Sequence, residues 1–388
     1  MAGRSKLLAV LIVALIGAGT AVTASAQGAD SGAGMTPEIN INLYGTLEFQ
    51  KFDHTKSTFD ARNIELLVNG RMGPRLSGSA EIEFERPKAV GEDQGAIEVE
   101  QGWLQYEVNQ LINLRTGIIL VPFGRYNLTH FDPFQDLTSR PLMAVVVSPT
   151  TWAEAGAGFV GSIFPTEDTV VDYQVYVVNG LNDMMDDTEG LHEARGLFGE
   201  DNNSNKAVAG RVALSLGRHE LGGSIYHGVY DNSGNQVTGY DADGMMVFGP
   251  LEIVAEWAKF VIQNGLSSEG IAVPPSLEGA YVQANYHFWF EFLNPTFLGR
   301  QFEDPTFTLV VRYGYARNKD DGDGGGVGAE PNNRETRTTI GLNYRPTETY
   351  VFKVEYQANA MNNSINNGSE PLVWGNRDGV MGSVTAAF

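Results

Sequence analysis

The chain has 388 residues, no cysteine, 46 glycines, and 26 basic against 47 acidic residues. Without cysteine there are no disulfides, thiolate metal centres or thioether haem links. The acidic balance offers no basic stripe to neutralise phosphates, which excludes nucleic acid as a partner.

The first residues carry an address. Arg4 and Lys6 precede the apolar run Leu7–Ile16, and Ala24-Ser25-Ala26 is a small-x-small cleavage site. Residues 1–26 therefore read as a secretory signal peptide, too short and wrongly flanked for a retained membrane helix. No cysteine stands at the cut, so no lipid anchor is expected there. Residues 27–38 read as a periplasmic lead-in and 39–388 as one continuous unit. Beyond the signal peptide no apolar run approaches the roughly eighteen residues that a spanning helix needs.

From Ile39 onward, segments of alternating polarity recur, and period-two alternation predicts strands with two unlike faces. The predicted strands are 39–52, 59–73, 76–86, 97–109, 112–120, 152–164, 169–179, 204–216, 219–230, 237–248, 250–262, 277–290, 306–318, 334–345, 349–361 and 375–388. Glycine at this abundance would be costly inside helices. In 76–86, Leu76, Ala80, Ile82 and Phe84 share one side, opposite Ser77, Ser79, Glu81, Glu83 and Glu85. In 349–361, Tyr350, Phe352, Val354 and Tyr356 oppose Lys353, Glu355, Gln357 and Asn359. A soluble antiparallel sheet with one wet face gives the same pattern. Here, however, the apolar phase carries Ala and Gly with aromatics toward the strand ends, which suits a lipid face with interfacial belts.

The connections alternate as well. Short turns at 73–76, 109–112, 165–168, 217–218, 249–250 and 345–348 are separated by longer polar loops at 87–96, 121–151, 180–203, 263–276, 319–333 and 362–374. Short turns at one end and long loops at the other are characteristic of outer-membrane barrels. Residues 291–305 depart from this rule, falling where a short turn is expected. Only closure satisfies every backbone group in lipid without leaving an edge, and sixteen strands are enough to surround an aqueous lumen. The predicted fold is all-β: a sixteen-stranded antiparallel transmembrane β-barrel. Phe388 ends an alternating last strand that can pair with the first.

Together, the leader, the strand count and Phe388 resemble a Gram-negative outer-membrane porin. Three stretches are similar to the phosphate-selective porin O and P group: Gly117-x-x-x-x-Pro122-Phe123-Gly124-Arg125-Tyr126-Asn127, Thr138-x-Arg140-Pro141-Leu142 and Trp152-x-Glu154-x-Gly156. The resemblance implies an integral protein of the outer membrane, in contact with its lipid and lipopolysaccharide and delivered by barrel-assembly machinery for which Phe388 is a signal. It also implies a homotrimer, an inward-folded third extracellular loop (121–151) and passive diffusion of small hydrophilic solutes and ions, with anion or phosphate preference. The alternative is a plugged structural or adhesive barrel that binds partners through its loops.

Candidate constriction residues are Arg125, His130, Asp132, Asp136 and Arg140. Arg125 and Arg140 have two readings: they face the loop's own Asp132 and Asp136 or the far wall, or they pin the loop through carboxylates. Candidate pore-wall residues are Glu81, Glu83, Glu154, Arg115, Arg211, Arg312, Arg337, Arg345 and Lys353, with Glu85, Glu107, Glu252 and Glu256 in the same phase. This mixture of signs departs from the Arg and Lys ladder expected of a phosphate channel. Carboxylates fall early in the chain and bases late, which predicts opposed walls of opposite charge. Pro122 and Pro141 read as strand stops, and Trp152, Tyr344 and Tyr350 as interfacial anchors. An enzyme is not expected: there is no G-x-S-x-G elbow, and the six histidines lack metal-ligand spacing. No cofactor or metal is implied. The acidic stretches 183–187 and 320–324 lack the spacing of a calcium loop.

Overall fold

A computed structural model describes residues 37–87, 95–185, 190–195, 198–199, 201–263, 273–319, 334–362 and 377–388. The leader 1–26, nearly all of the lead-in, the acidic stretch 320–324 and residues 186 and 187 of the stretch 183–187 lie outside these residues.

The strands are β1 Glu38–Phe52, β2 Thr58–Met72, β3 Leu76–Glu85, β4 Ala96–Glu107, β5 Asn113–Leu120, β6 Ala153–Thr166, β7 Thr169–Val178 and β8 Ala207–Leu216. They continue as β9 His219–Val229, β10 Gln236–Phe248, β11 Leu251–Ile262, β12 Ser276–Phe288, β13 Thr306–Lys319, β14 Arg334–Thr347, β15 Tyr350–Asn362 and β16 Gly379–Ala387. Each pairs antiparallel with its sequence neighbours, and β1 pairs with β16 to close a sixteen-stranded barrel. β1 begins at Glu38, inside the expected lead-in, and β8 begins at Ala207 rather than 204. At the seam, Phe388 N donates to Leu43 O at 2.8 Å and Leu43 N to Phe388 O at 3.2 Å.

Alternation explains the two faces. In β14 the odd positions Glu335, Arg337, Thr339 and Asn343 are buried while Ile340 and Leu342 are exposed. Apolar side chains such as Leu104, Val212, Ile225 and Val354 are likewise exposed on the outside. This inverts a water-soluble protein and requires an apolar solvent around the barrel. Among the described residues no helix is long and apolar enough to cross a membrane.

Away from the hairpin turns, two register shifts alter the faces. Thr46 pairs with Asn63 but Leu47 with Ala61, leaving Arg62 as an extra residue of β2. Glu81 pairs with Gln101 but Ile82 with Val99, leaving Glu100 as an extra residue of β4. A bulge adds one residue, bends its strand and re-aims a side chain. Here each bulge turns a charged residue inward.

The connection 291–305 carries a 3-10 turn, Glu291–Leu293, and folds back on the outside of the wall. Tyr344 Oη donates to Leu298 O. Trp289 stacks on Phe307, with centroids 5.5 Å apart, and on Tyr344 at 6.3 Å. Its length serves an aromatic stack at the short-turn end, where such rings suit an interface between hydrocarbon and water.

Candidate pore and loop site

The connection between β5 and β6 is fastened at its base. Asn127 Nδ2 donates to Val121 O at 2.9 Å and to Trp152 O at 3.0 Å, and Asn127 Oδ1 accepts from Trp152 N at 2.8 Å. One amide side chain thus ties the two ends together. Short helices at Arg125–Leu128 and Leu142–Val146 and a 3-10 turn at Asp132–Phe134 order the rest.

From this base the loop meets inward-facing residues around the wall. On one side Gly124 N donates to Ser224 Oγ of β9 at 3.1 Å, and Tyr126 N to Glu256 Oε2 of β11 at 3.0 Å. On the other, Thr138 N donates to Glu355 Oε2 of β15 at 2.7 Å. Between them an apolar cluster joins loop and wall: Phe123, Trp152, Tyr226, Phe260, Leu142 and Met143 are all almost wholly buried. Trp152 therefore belongs to this interior cluster, not to an interfacial belt. Its indole Nε1 donates to Glu154 Oε1 at 3.0 Å. Strand phase misled because Trp152 sits just before β6, at the loop's exit.

The five loop candidates each have a specific partner. Arg125 Nη1 donates to Glu220 Oε1 of β9 at 2.7 Å, not to the loop's own aspartates. His130 Nε2 and Glu100 Oε2 are 2.9 Å apart, and His130 Nδ1 faces Asn127 O at 2.9 Å. Asp132 accepts from Thr46 Oγ1 at 3.0 Å and lies 3.8 Å from Arg62 Nε. Asp136 Oδ1 accepts from Asn343 Nδ2 at 3.0 Å and Arg345 Nη2 at 3.2 Å. Arg140 Nη1 donates to Thr150 O at 2.6 Å, holding the loop to itself.

Two titrations follow. Burial works to lower the His130 imidazole, but the Glu100 carboxylate overrides it and raises the group to about 9. Burial works to raise Asp132, but Arg62 and Lys353 outweigh it and hold the carboxyl below the usual carboxylate range.

All nine wall candidates lie on the inward phase. Glu81 and Glu154 are fully buried, and Glu83 is nearly so. Arg115 donates to Gln105 Oε1 at 2.7 and 3.0 Å and lies 4.1 Å over the Trp103 ring. Arg211 forms a fork with Asp243, one arm at 2.9 Å. Arg312 Nη2 donates to Ser139 Oγ at 2.6 Å and Ser139 O at 2.8 Å. Arg345 donates to Gln135 O at 2.9 Å, and Lys353 to Asp132 O at 2.8 Å. These last three bases hold the loop. Arg337 differs: Nε donates to Asn359 Oδ1 at 2.7 Å, while the buried Nη2 has no acceptor.

Charge is not arranged as opposed walls. The carboxylates of β2–β4 and the bases of β13–β15 flank the β1–β16 seam, because closure makes the two ends of the chain neighbours. A second acidic group, Asp241, Asp243 and Glu256, lies farther round with Arg211. Toward the short-turn end, inward residues on β5, β9, β11 and β12, among them Arg115, Glu220, Glu252 and Gln283, are half-buried and reachable by water.

Several site residues escaped the sequence pattern. Arg62 and Glu100 sit on bulges, which no period-two count can locate. Glu65, Asp243 and Glu355 were legible as inward-phase carboxylates, but only their partners single them out.

A closed barrel with lipid-facing strands and a polar interior met by a long loop defines an integral outer-membrane barrel of the porin class. A profile described as "Phosphate-selective porin O and P" matches residues 40–371, and the chain belongs to that family. It is an outer-membrane porin, a channel for passive diffusion, and the family and fold are those of channels, not of enzymes. A protein of Aquifex aeolicus (strain VF5), described as uncharacterized, is 25% identical over 347 residues, covering 82% of this chain and 75% of that one. The fold is similar to Salmonella typhi OmpF in complex with daunomycin, with a TM-score of 0.61 at 13% identity, covering 90% of this chain and 98% of that chain. It is also similar to an anion-selective porin from Comamonas acidovorans, with a TM-score of 0.53 at 10% identity, covering 90% and 100% respectively.

Proposed function

We propose that this porin favours small anions, inorganic phosphate included, and that Arg337 is the residue they meet on β14. The observation that carries this reading is the buried Arg337 Nη2, whose donor capacity is unspent while Arg312, Arg345 and Lys353 are occupied by the loop. An unpaired buried donor is costly, and an anion would relieve that cost through a charge-assisted hydrogen bond. The family description and the anion-selective neighbour point the same way.

In this reading residues 121–151 form the constriction. Arg125, His130, Asp132, Asp136 and Arg140 set its position, and Glu81, Glu83, Glu154, Arg115 and Arg211 line or brace the remaining wall. Phe388 serves as the assembly signal read by the barrel-assembly machinery. The protein works as a homotrimer in a bilayer of lipid and lipopolysaccharide.

The test is the reversal potential of the purified protein in planar bilayers across a salt gradient, with chloride and then phosphate. A potential of anion-selective sign that moves toward zero in Arg337→Gln is expected. A cation-selective wild type, or no change on substitution, would overturn the reading.

A further inference from the structure

Beneath the loop lies a cluster whose shared burial the transport reading does not explain. Ligand atoms of Glu81, Glu100 and His130 all lie within 4.8 Å of one another, as do those of Glu65, Glu83 and Glu100. All five side chains are buried. Among the described residues no lysine or arginine forms an ion pair with any of the four carboxylates, and Arg140 turns to Thr150 O instead. Several carboxylates buried together require a cation or protons.

Two details point to a cation. Glu81 is fully buried, and its Oε1 has no hydrogen-bond donor although Oε2 accepts from Gln101 Nε2 at 2.7 Å. One oxygen of a carboxylate in the cluster is therefore buried without a donor. The second detail is the orientation of His130. Its Nδ1 faces a backbone carbonyl, which can only accept, so Nδ1 carries hydrogen and Nε2 is turned to the carboxylates. Proteins orient metal-binding imidazoles in this way, with one nitrogen donating to a carbonyl and the other left for the metal.

We propose that Glu81, Glu100 and His130 hold a divalent transition-metal ion of the zinc type, with Glu65 and Glu83 as neighbouring carboxylates. The imidazole favours such an ion over calcium or magnesium, which prefer an all-oxygen shell. Binding displaces the proton shared by His130 Nε2 and Glu100, and that proton leaves to water. Glu98, which pairs with Glu83, is exposed, so the cluster lies one strand register from a solvent-facing carboxylate. Because His130 belongs to the loop, Glu81 to β3 and Glu100 to β4, the ion would tie the loop to the wall.

The experiment uses the full protein without a histidine tag, stripped with chelator and titrated with zinc chloride by calorimetry. X-ray absorption at the zinc edge is then recorded. The expected result is a single zinc per chain in a shell of oxygen with imidazole nitrogen. Affinity should fall at least about tenfold in Glu81→Gln and His130→Gln. Circular dichroism checks that the variants keep their strands, and if either does not, the wild-type absorption spectrum alone decides. An all-oxygen shell, calcium binding where zinc does not, no binding, or equal affinity in both folded variants would each overturn the proposal.

Discussion

Arg125 and Glu220 form an ion pair at 2.7 Å that fastens the start of the long loop to β9, and Arg211 lies 3.7 Å from the same carboxylate. Glu220 therefore serves two guanidiniums at once. Glu220→Arg would place three like charges together on the lumen side. We expect the loop to detach locally, seen as noisier single-channel current, with the barrel intact. Glu220→Gln keeps a hydrogen-bond acceptor and should change the current far less. Equal traces from both variants would refute this role.

Glu355 holds the far side of the loop through the backbone N–H groups of Thr138, at 2.7 Å, and Ser139, at 3.3 Å. Glu355→Ala removes the acceptor and leaves two buried donors unmatched, at a cost of about 1–3 kcal/mol for each donor left dry. Water entering the gap would offset part of that. The amides of 138 and 139 should exchange with deuterium faster in the variant, while those of β14 stay protected.

Gly117 adopts φ 130°, and a Cβ there would lie 2.2 Å from the Gly102 carbonyl oxygen of β4. That oxygen belongs to the strand ladder and cannot turn aside as a side chain would. Gly117→Ala should cost about 1–3 kcal/mol in backbone strain alone, plus the clash. A lower refolding yield into detergent micelles is the expected readout.

His192, in the connection between β7 and β8, is pushed down to about 4 by burial and by Arg195. Its ordinary value is near 6.5. Since the folded value lies below the unfolded one, the unfolded chain binds the proton more readily. Stability from this group is complete above pH 6.5 and declines as pH falls toward 4. The group is partly exposed, so solvent screening limits the loss to about 1 kcal/mol or less. The urea midpoint should drop more between pH 7 and pH 5 in wild type than in His192→Gln.

Polarity read along the chain is enough to show paired strands with one oily and one wet flank. Lys353, Glu355 and Gln357 alternate with Phe352, Val354 and Tyr356, and no tertiary contact is needed to see that spacing. The alternation of short and long connections likewise set the strand number and which end carries the loops. Such features are local, repeating with the two-residue period of the extended backbone.

The remaining features depend on contacts between residues far apart in the chain. Arg62 and Glu100 enter the lumen because a bulge shifts register against a neighbouring strand, and a bulge leaves no mark in polarity. Trp152 packs inside because the loop returns to cover it. Closure brings the carboxylates of β2–β4 beside the seam that the bases of β13–β15 also flank, converting an order along the chain into neighbouring sectors of a ring. His130 meets Glu100 across thirty residues for the same reason: a loop's partners are chosen by the wall it folds against, not by its own text.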